Sequence, residues 1–391
     1  MKKLKWNSKQ IAVAICIAIA LLLVVGHGIT IYRIYRLPES HVEITGSIVD
    51  NRYNNFISEY DLLNTTGDFV RIGEKLYYNY YGSYASYGLY EITSDGVRRI
   101  QWDGYGPWAF LIGHEIMLYP IQAYNGKLLI NTTVDGNYYT YNKETKEWVL
   151  TQGRIQTYSE ETRTFAEAML FGGISDINTL SYQETSFGFV YESSDEFNLW
   201  VYTEERGPER IVADKVCSFY TVGDQIYYTA WSEAIDSYVL HVYDWKLKMD
   251  TVLCEWLNYA NMTNFMVEEG NLIFVASHPA QKTRSLYKFN LSNPQAGEKA
   301  IYTSHMNASE SEYIYSMNVW NGTVYLCTEK GLIACDLDTG EYRILCEKNA
   351  YTCYIVDDTW VYFAEHDSNY LWRVPQSGGE AELVFGHKLI G

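Results

Sequence analysis

His114 and Glu115 open the way a metalloprotease helix opens, but no second histidine follows at the four-residue spacing that puts two imidazoles on one helix face. Zinc chemistry is therefore not expected there. Asp336-x-Asp338-x-Gly340 offers two carboxylates to a cation yet lacks the later bidentate acid of a calcium loop, so it reads as a hairpin turn. Asp95-Gly96 lacks the spacing of a sialidase Asp-box, and no G-x-S-x-G, phosphate-binding loop or dinucleotide-binding glycine pattern occurs. With 48 acids in the chain, adjacent pairs such as Glu204-Glu205 and Asp357-Asp358 carry no specific message. No catalytic residue, metal site or cofactor is expected. Of the seven cysteines, Cys16 lies in a hydrophobic run and none of the others forms C-x-x-C. Cys346 with Cys353 is the first pair to test for a disulfide in an oxidising compartment.

What remains as candidate binding chemistry is aromatic. Tyr81, Tyr84, Tyr105, Trp108, Trp231, Trp256, Tyr259, His278 and His366 sit in segments that connect apolar runs. Rings on loops that need not carry them can stack on a sugar or anchor a protein partner. The alternative is that they pack over the strands and seal a central channel.

The elements that position these residues are repeated. A tight turn with Gly, Asn or Asp leads into an apolar or aromatic run at Leu76-Tyr77-Tyr78, Leu128-Leu129-Ile130, Phe189-Val190-Tyr191, Ile226-Tyr227-Tyr228, Leu272-Ile273-Phe274, Val324-Tyr325-Leu326 and Trp360-Val361-Tyr362. A loop, a second apolar run (Leu199-Trp200-Val201-Tyr202 or Leu371-Trp372-Arg373-Val374) and a polar turn into a short outer strand follow. Leu76 to Val361 is 285 residues over six intervals, a mean of 47.5, the size of a four-stranded propeller blade. The expectation is an all-β protein, a β-propeller of four-stranded blades after one N-terminal transmembrane helix. Seven blades are counted; six or eight are the alternatives, because residues 110–119 also fit the pattern. In such a ring the tight turns share one face and the longer aromatic connections the other, leaving the turn face little capacity for recognition.

The units resemble the Tyr-rich, YWTD-like propeller repeats of a family of unknown function found in cell-surface proteins of Gram-positive bacteria. Ile226-Tyr227-Tyr228-Thr229-Ala230 and residues 82–96 come nearest. The resemblance covers about residues 67–385 and implies the fold and an extracytoplasmic setting; the family has no agreed activity to carry over.

Residues 11–32 form an apolar run of about 22 residues, enough to cross roughly 30 Å of hydrocarbon as a helix. Four lysines before it and two arginines soon after it orient the N-terminus toward the cytoplasm. The expected organisation is a cytoplasmic tail at 1–10, an uncleaved signal anchor at 11–32, a juxtamembrane linker at 33–66 and the propeller at 67–391, outside the cell membrane. Ser159-Glu160-Glu161 predicts a helical insertion near 159–172, with Phe165, Ala168 and Met169 on one face. Beyond Arg36 there are 24 Lys plus Arg against 48 acids, a net charge of −24, which repels phosphate backbones and excludes nucleic acid as a partner. The expected function is a membrane-anchored binding or scaffold module for a protein or carbohydrate ligand on the long-loop face. The alternative is a glycoside hydrolase or lyase with acids gathered at the channel.

Overall fold

The computed structural model describes residues 11, 13–22, 25–26, 42–48, 69–80, 88–101, 121–124, 127–131, 138–142, 147–151, 155–159, 164–167, 179–193, 198–203, 205–212, 216–255, 265–278, 283–307, 310–311, 313–366, 368 and 370–386. Ile11, residues 13–22 and residues 25–26 are helical; among the described residues no helix is long and apolar enough to cross a membrane.

Among the described residues, seven antiparallel sheets of four or five strands follow in chain order, and residues 110–119 lie outside the described residues. Blade 1 holds β1 (Phe69–Ile72), β2 (Lys75–Tyr80), β3 (Gly88–Thr93) and β4 (Gly96–Gln101). Blade 2 holds β5 (Ile121–Tyr124), β6 (Lys127–Asn131), β9 (Ile155–Ser159) and β10 (Thr164–Glu167). A separate hairpin, β7 (Tyr138–Asn142) with β8 (Glu147–Thr151), is inserted between its second and third strands. Blade 3 holds β11 (Thr179–Thr185), β12 (Gly188–Ser193), β13 (Leu199–Thr203) and β14 (Gly207–Val212). Blade 4 holds β15 (Val216–Val222), β16 (Gln225–Ser232), β17 (Ser237–Asp244) and β18 (Met249–Glu255). Blade 5 has a fifth strand: β19 (Phe265–Glu268), β20 (Asn271–His278), β21 (Thr283–Asn290), β22 (Glu298–Asn307) and β23 (Glu310–Ser311). Blade 6 holds β24 (Ile314–Trp320), β25 (Thr323–Thr328), β26 (Gly331–Asp336) and β27 (Tyr342–Cys346), and blade 7 holds β28 (Ala350–Tyr354), β29 (Trp360–Glu365), β30 (Leu371–Pro375) and β31 (Glu382–Phe385).

The chain forms a β-propeller, and its seven expected turn-and-strand pieces are the second strands of the seven sheets. Burial explains their composition. Second strands are covered on both sides by neighbouring blades, so five of the six residues of β2 and of β25 are buried and the sequence there is nearly continuously apolar. The outer strand β27 has only Leu345 buried, and Tyr342, Arg343 and Ile344 are exposed. A register shift recurs near the start of the first strand in blades 3, 4, 6 and 7, at Thr179/Ser181, Val216/Ser218, Ile314/Ser316 and Ala350/Thr352. An extra residue at one place in each unit sharpens the strand's twist in the same way four times. Gly331, at φ +133°, opens β26 so close to its neighbour that a Cβ would lie 2.0 Å from the Cys346 carbonyl oxygen.

The core consists of inter-blade layers. Val190 and Tyr228 share a cluster across blades 3 and 4, Tyr227, Phe274 and Leu326 across blades 4 to 6, and Tyr325 and Phe363 across blades 6 and 7. Leu128 of blade 2 packs with Tyr77 of blade 1. Phe69, Tyr78 and Tyr90 of blade 1 pack with Tyr354, Tyr362 and Phe385 of blade 7, so the last blade meets the first.

One expected element is corrected. Within the stretch near 159–172 the described residues Thr164–Glu167 form a strand, not a helix, paired with Ile155–Ser159; the aromatic and β-branched residues there outweigh the capping signal, and the rest of the expected helix lies outside the described residues. The insertion in blade 2 is the earlier hairpin, where Tyr139 pairs with Leu150, Thr140 with Val149 and Tyr141 with Trp148 across strands of high β propensity. Within the expected linker at 33–66, Val42 and Ile44 are buried in the cluster between blades 7 and 1. The cysteines are all free: Cys346 and Cys353 are not bonded, and the Cys353 thiol donates to the Tyr325 carbonyl at 3.5 Å.

Candidate functional site

The turns joining first to second and third to fourth strands lie on one face of the ring, and the other connections lie opposite. On the second face, at the junction of blades 6 and 7, the starts of β24 and β28 and the end of β29 bring three rings together. The His366 imidazole stacks on Tyr315 at 5.1 Å between centroids and 30° between planes, and meets Tyr351 edge-on at 5.4 Å and 74°. Tyr315 and Tyr351 are 5.7 Å apart, and Tyr313 stacks on Tyr315 at 6.4 Å. His366 is exposed, and its backbone N–H donates to the Asn349 carbonyl at 2.9 Å, which fixes where the ring sits.

Glu365 forms the polar side of the group. Its Oε2 accepts from the Ser368 hydroxyl at 2.7 Å and from the Trp372 indole N–H at 3.1 Å, and Lys348 Nζ lies 3.7 Å from Oε1. The same ammonium sits 3.8 Å from the centroid of the Trp372 ring. Tyr80 of blade 1 reaches the Ser368 carbonyl at 3.4 Å, holding the connection of blade 7 from the far side. The result is a patch of half-exposed rings beside a carboxylate and an ammonium whose side chains are already fixed.

The expected residues divide accordingly. His366 joins the patch. Trp231 stands on the same face but three blades away, at the end of β16, where it pairs with Tyr238 across the hairpin at 5.0 Å and 77°. Its ring is half-buried and serves the hairpin. His278 ends β20 opposite Thr283, and its side chain lies outside the described residues, as do Tyr81, Tyr84, Tyr105, Trp108, Trp256 and Tyr259. Tyr315 and Tyr351 were missed because they open inner strands, where a ring reads as core. The signal that was present is the tyrosine spacing Tyr313-x-Tyr315, which continues an apolar alternation outward past the strand end.

The turn face is less bare than expected. Between blades 3 and 4 the Thr185–Gly188 turn, the segment around Arg206 and the turn at 245–248 enclose a groove of about 600 Å³. Phe187 and Trp245 stack across it at 5.1 Å and 16°, and Lys248 lies 3.0 Å over the indole. Its cations are largely neutralised, Lys248 by Glu209 at 3.1 Å and Lys246 by Asp224. The Asp336 turn behaves as the sequence indicates. Asp336 Oδ1 accepts from the Asp338 and Thr339 N–H groups at 3.0 and 2.7 Å, bonds that hold its carboxyl below the ordinary range. No cluster of three metal-ligating side chains occurs among the described residues.

The chain matches no family model, and no curated protein is similar to it in sequence. Solved structures do resemble it. A structure from a study of two prolyl endopeptidases is 11% identical with a TM-score of 0.51, covering 86% of this chain and 50% of that one. The β-propeller domain of the trilobed protease from Pyrococcus furiosus, reported with an open velcro topology, is 12% identical at a TM-score of 0.49, over 81% of this chain and 96% of that one. The extracellular domain of a hybrid two-component system from B. thetaiotaomicron is 12% identical at 0.49, over 89% and 44%. This chain thus spans half or less of the first two-component and endopeptidase chains it resembles. At such identities the likeness concerns the fold alone.

Proposed function

We propose that this protein is a recognition module that binds a carbohydrate on the long-connection face at the junction of blades 6 and 7. The observation that carries the reading is the exposed His366 ring held between Tyr315 and Tyr351 beside the fixed Glu365 and Lys348. Ring faces stack on the apolar face of a pyranose, and immobilised polar groups bond its hydroxyls at little entropic cost. The net charge of −24 beyond Arg36 argues against polyanionic ligands. The apolar run at 11–32 and the lysines before it support anchoring in the cell membrane with the propeller outside, where cell-surface glycans are met. The Tyr-rich repeats support placing the chain with the cell-surface propeller family of Gram-positive bacteria.

The test is a glycan-binding screen with the full chain, followed by titration of the best ligand against His366→Ala and Tyr315→Ala. Each is expected to weaken binding by about ten-fold or more without changing the unfolding midpoint by more than the solvent-exposed loss of a ring. Trp231→Ala, on the far side of the ring, is expected to leave affinity unchanged. Equal affinity in all three variants would remove the patch as the site.

A further inference from the structure

The propeller is not closed by a shared strand, because blade 1 and blade 7 each take all four of their strands from consecutive chain. Their junction is instead crossed by residues 42–48, which arrive from a part of the chain separated from β1 by residues 49–68. We propose that the seam between blades 7 and 1 is a peptide-docking groove, occupied in this chain by its own residues 42–48, which recognises an extended apolar-x-apolar-Thr-Gly segment.

The contacts have the pattern of peptide recognition. Alternate carbonyls of the segment accept from the ring: Glu43 from Arg373 at 2.7 Å, Thr45 from Arg71 at 3.1 Å and Ser47 from the Asp358 N–H at 3.1 Å. In return the Ser47 N–H donates to Asp358 Oδ1 at 2.8 Å, and the Trp360 indole N–H reaches Thr45 Oγ1 at 3.0 Å. Side chains between these points, Val42 and Ile44, go into the aromatic cluster of the two blades. Among the described residues one ladder pairing is made, Ile48 with Asp357, and the segment 42–48 is gripped mainly by side chains.

Specificity follows from Gly46. Its φ is +85°, and a Cβ there would lie 2.9 Å from Thr359 Oγ1, 3.0 Å from Asp358 Oδ1 and 3.1 Å from Asp357 Cβ. Both the conformation and the space exclude a side chain.

The two arginines that grip the segment are also held by partners on the ring. Arg373 is held by two bonds to Glu382 at 3.0 and 2.8 Å, with its guanidinium 4.1 Å from the Trp360 ring centroid. Arg71 donates to the Gly73 carbonyl at 3.0 Å and lies 3.6 Å from Asp357. Both arginines are 4% exposed. Buried cations aimed by the ring at a passing backbone form a preorganised donor site for its carbonyls, which lowers the ordering cost of whatever peptide enters. Once the segment itself is dislodged, a peptide of matching sequence is expected to take its place.

The experiment uses the full chain and a fluorescent synthetic peptide with the sequence of residues 41–49. Gly46→Val is expected to vacate the groove, so that the peptide binds the variant at least about ten-fold more tightly than it binds the unaltered chain, about 1.4 kcal/mol. Backbone hydrogen exchange in the variant is expected to rise in residues 69–80 and 354–363 and not in 272–290, and to fall again when the peptide is added. Should Gly46→Val fail to fold, Ser47→Pro, which removes a single N–H donated to Asp358, carries the same comparison with a ratio of about three-fold. Equal binding to variant and parent, binding to neither, or an exchange increase spread evenly around the ring would overturn the proposal.

Discussion

Two junctions between adjacent blades are built differently. Blades 6 and 7 are joined by three residues of continuous chain, and their buried interface sets two rings, Tyr325 and Phe363, among small and aliphatic side chains. Cys327, Leu332, Cys353, Ile355 and Val374 pack there, and two side chains of β24 cross to the next inner strand. Ser316 Oγ donates to the Tyr351 carbonyl at 3.0 Å and Asn318 Nδ2 to the Cys353 carbonyl at 3.2 Å. Blades 7 and 1 have no such chain between them. Their interface is aromatic, with Phe69 lying 4.9 Å from Tyr362, 5.4 Å from Tyr354 and 6.2 Å from Tyr78, and it contains buried charge. Where the chain itself keeps two blades at high effective concentration, modest packing suffices. Where it does not, the interface carries more buried rings, an ion pair and a clasp.

The largest expected effect lies at the seam. Phe69→Ala should lower the unfolding free energy by about 3–5 kcal/mol, read by urea denaturation, because a fully buried ring contacting three others leaves a cavity the neighbours cannot fill. A loss near 1 kcal/mol would mean the seam is already loose.

Next comes the buried ion pair. Asp357→Ala strands Arg71 without its carboxylate and should cost about 3 kcal/mol at neutral pH. Its pH dependence has an unusual sign. Burial pushes the Asp357 carboxyl above its ordinary value, overcoming the bonds from the Trp360 and Thr359 N–H groups. The folded ring therefore binds this proton more tightly than the unfolded chain does. Stability from this group is greatest below the unfolded value and declines as pH rises from there through the raised folded value. Asp358 next to it is shifted the other way, chiefly by the Ser47 N–H, so its contribution is present above the unfolded value and lost as pH falls through the lowered one. Chemical denaturation of Asp357→Asn from pH 3 to 7 should show the parent's decline with rising pH removed; an unchanged profile would refute the assignment.

A smaller loss is expected at the other junction. Asn318→Ala should cost about 1–3 kcal/mol by leaving the buried Cys353 carbonyl without its donor. Ser316→Ala, which removes one hydroxyl bond at a part-buried site, should cost about 1 kcal/mol in the same assay. If either exceeds the effect of Phe69→Ala, the contrast between the junctions is reversed.

Much of the fold was legible because a repeat declares itself through spacing. The runs at Leu76, Ile226, Val324 and Val361 are buried on both faces and so cannot tolerate polar residues, and their tight turns mark each unit's start. The region near 159–172 was misread because a local capping signal competes with pairing partners that are not local. Of the candidate site, His366 was legible as a ring on a connection. Its partners Tyr315 and Tyr351 were not, since they come from two other strands and only the closed ring sets them side by side.

The amino-acid order by itself determined the strand pattern, the blade length, the identity of the turn residues and the acidity of the domain. Each depends on intrinsic preference or on burial repeated at a fixed period. The tertiary structure alone decided which surfaces face each other. That blade 7 meets blade 1, that Arg71 and Arg373 both aim at the backbone of residues 42–48, and that Gly46 is the one position there without room for a side chain depend on groups hundreds of residues apart. Such contacts follow from closure of the ring, a global geometric condition that no local stretch of sequence encodes.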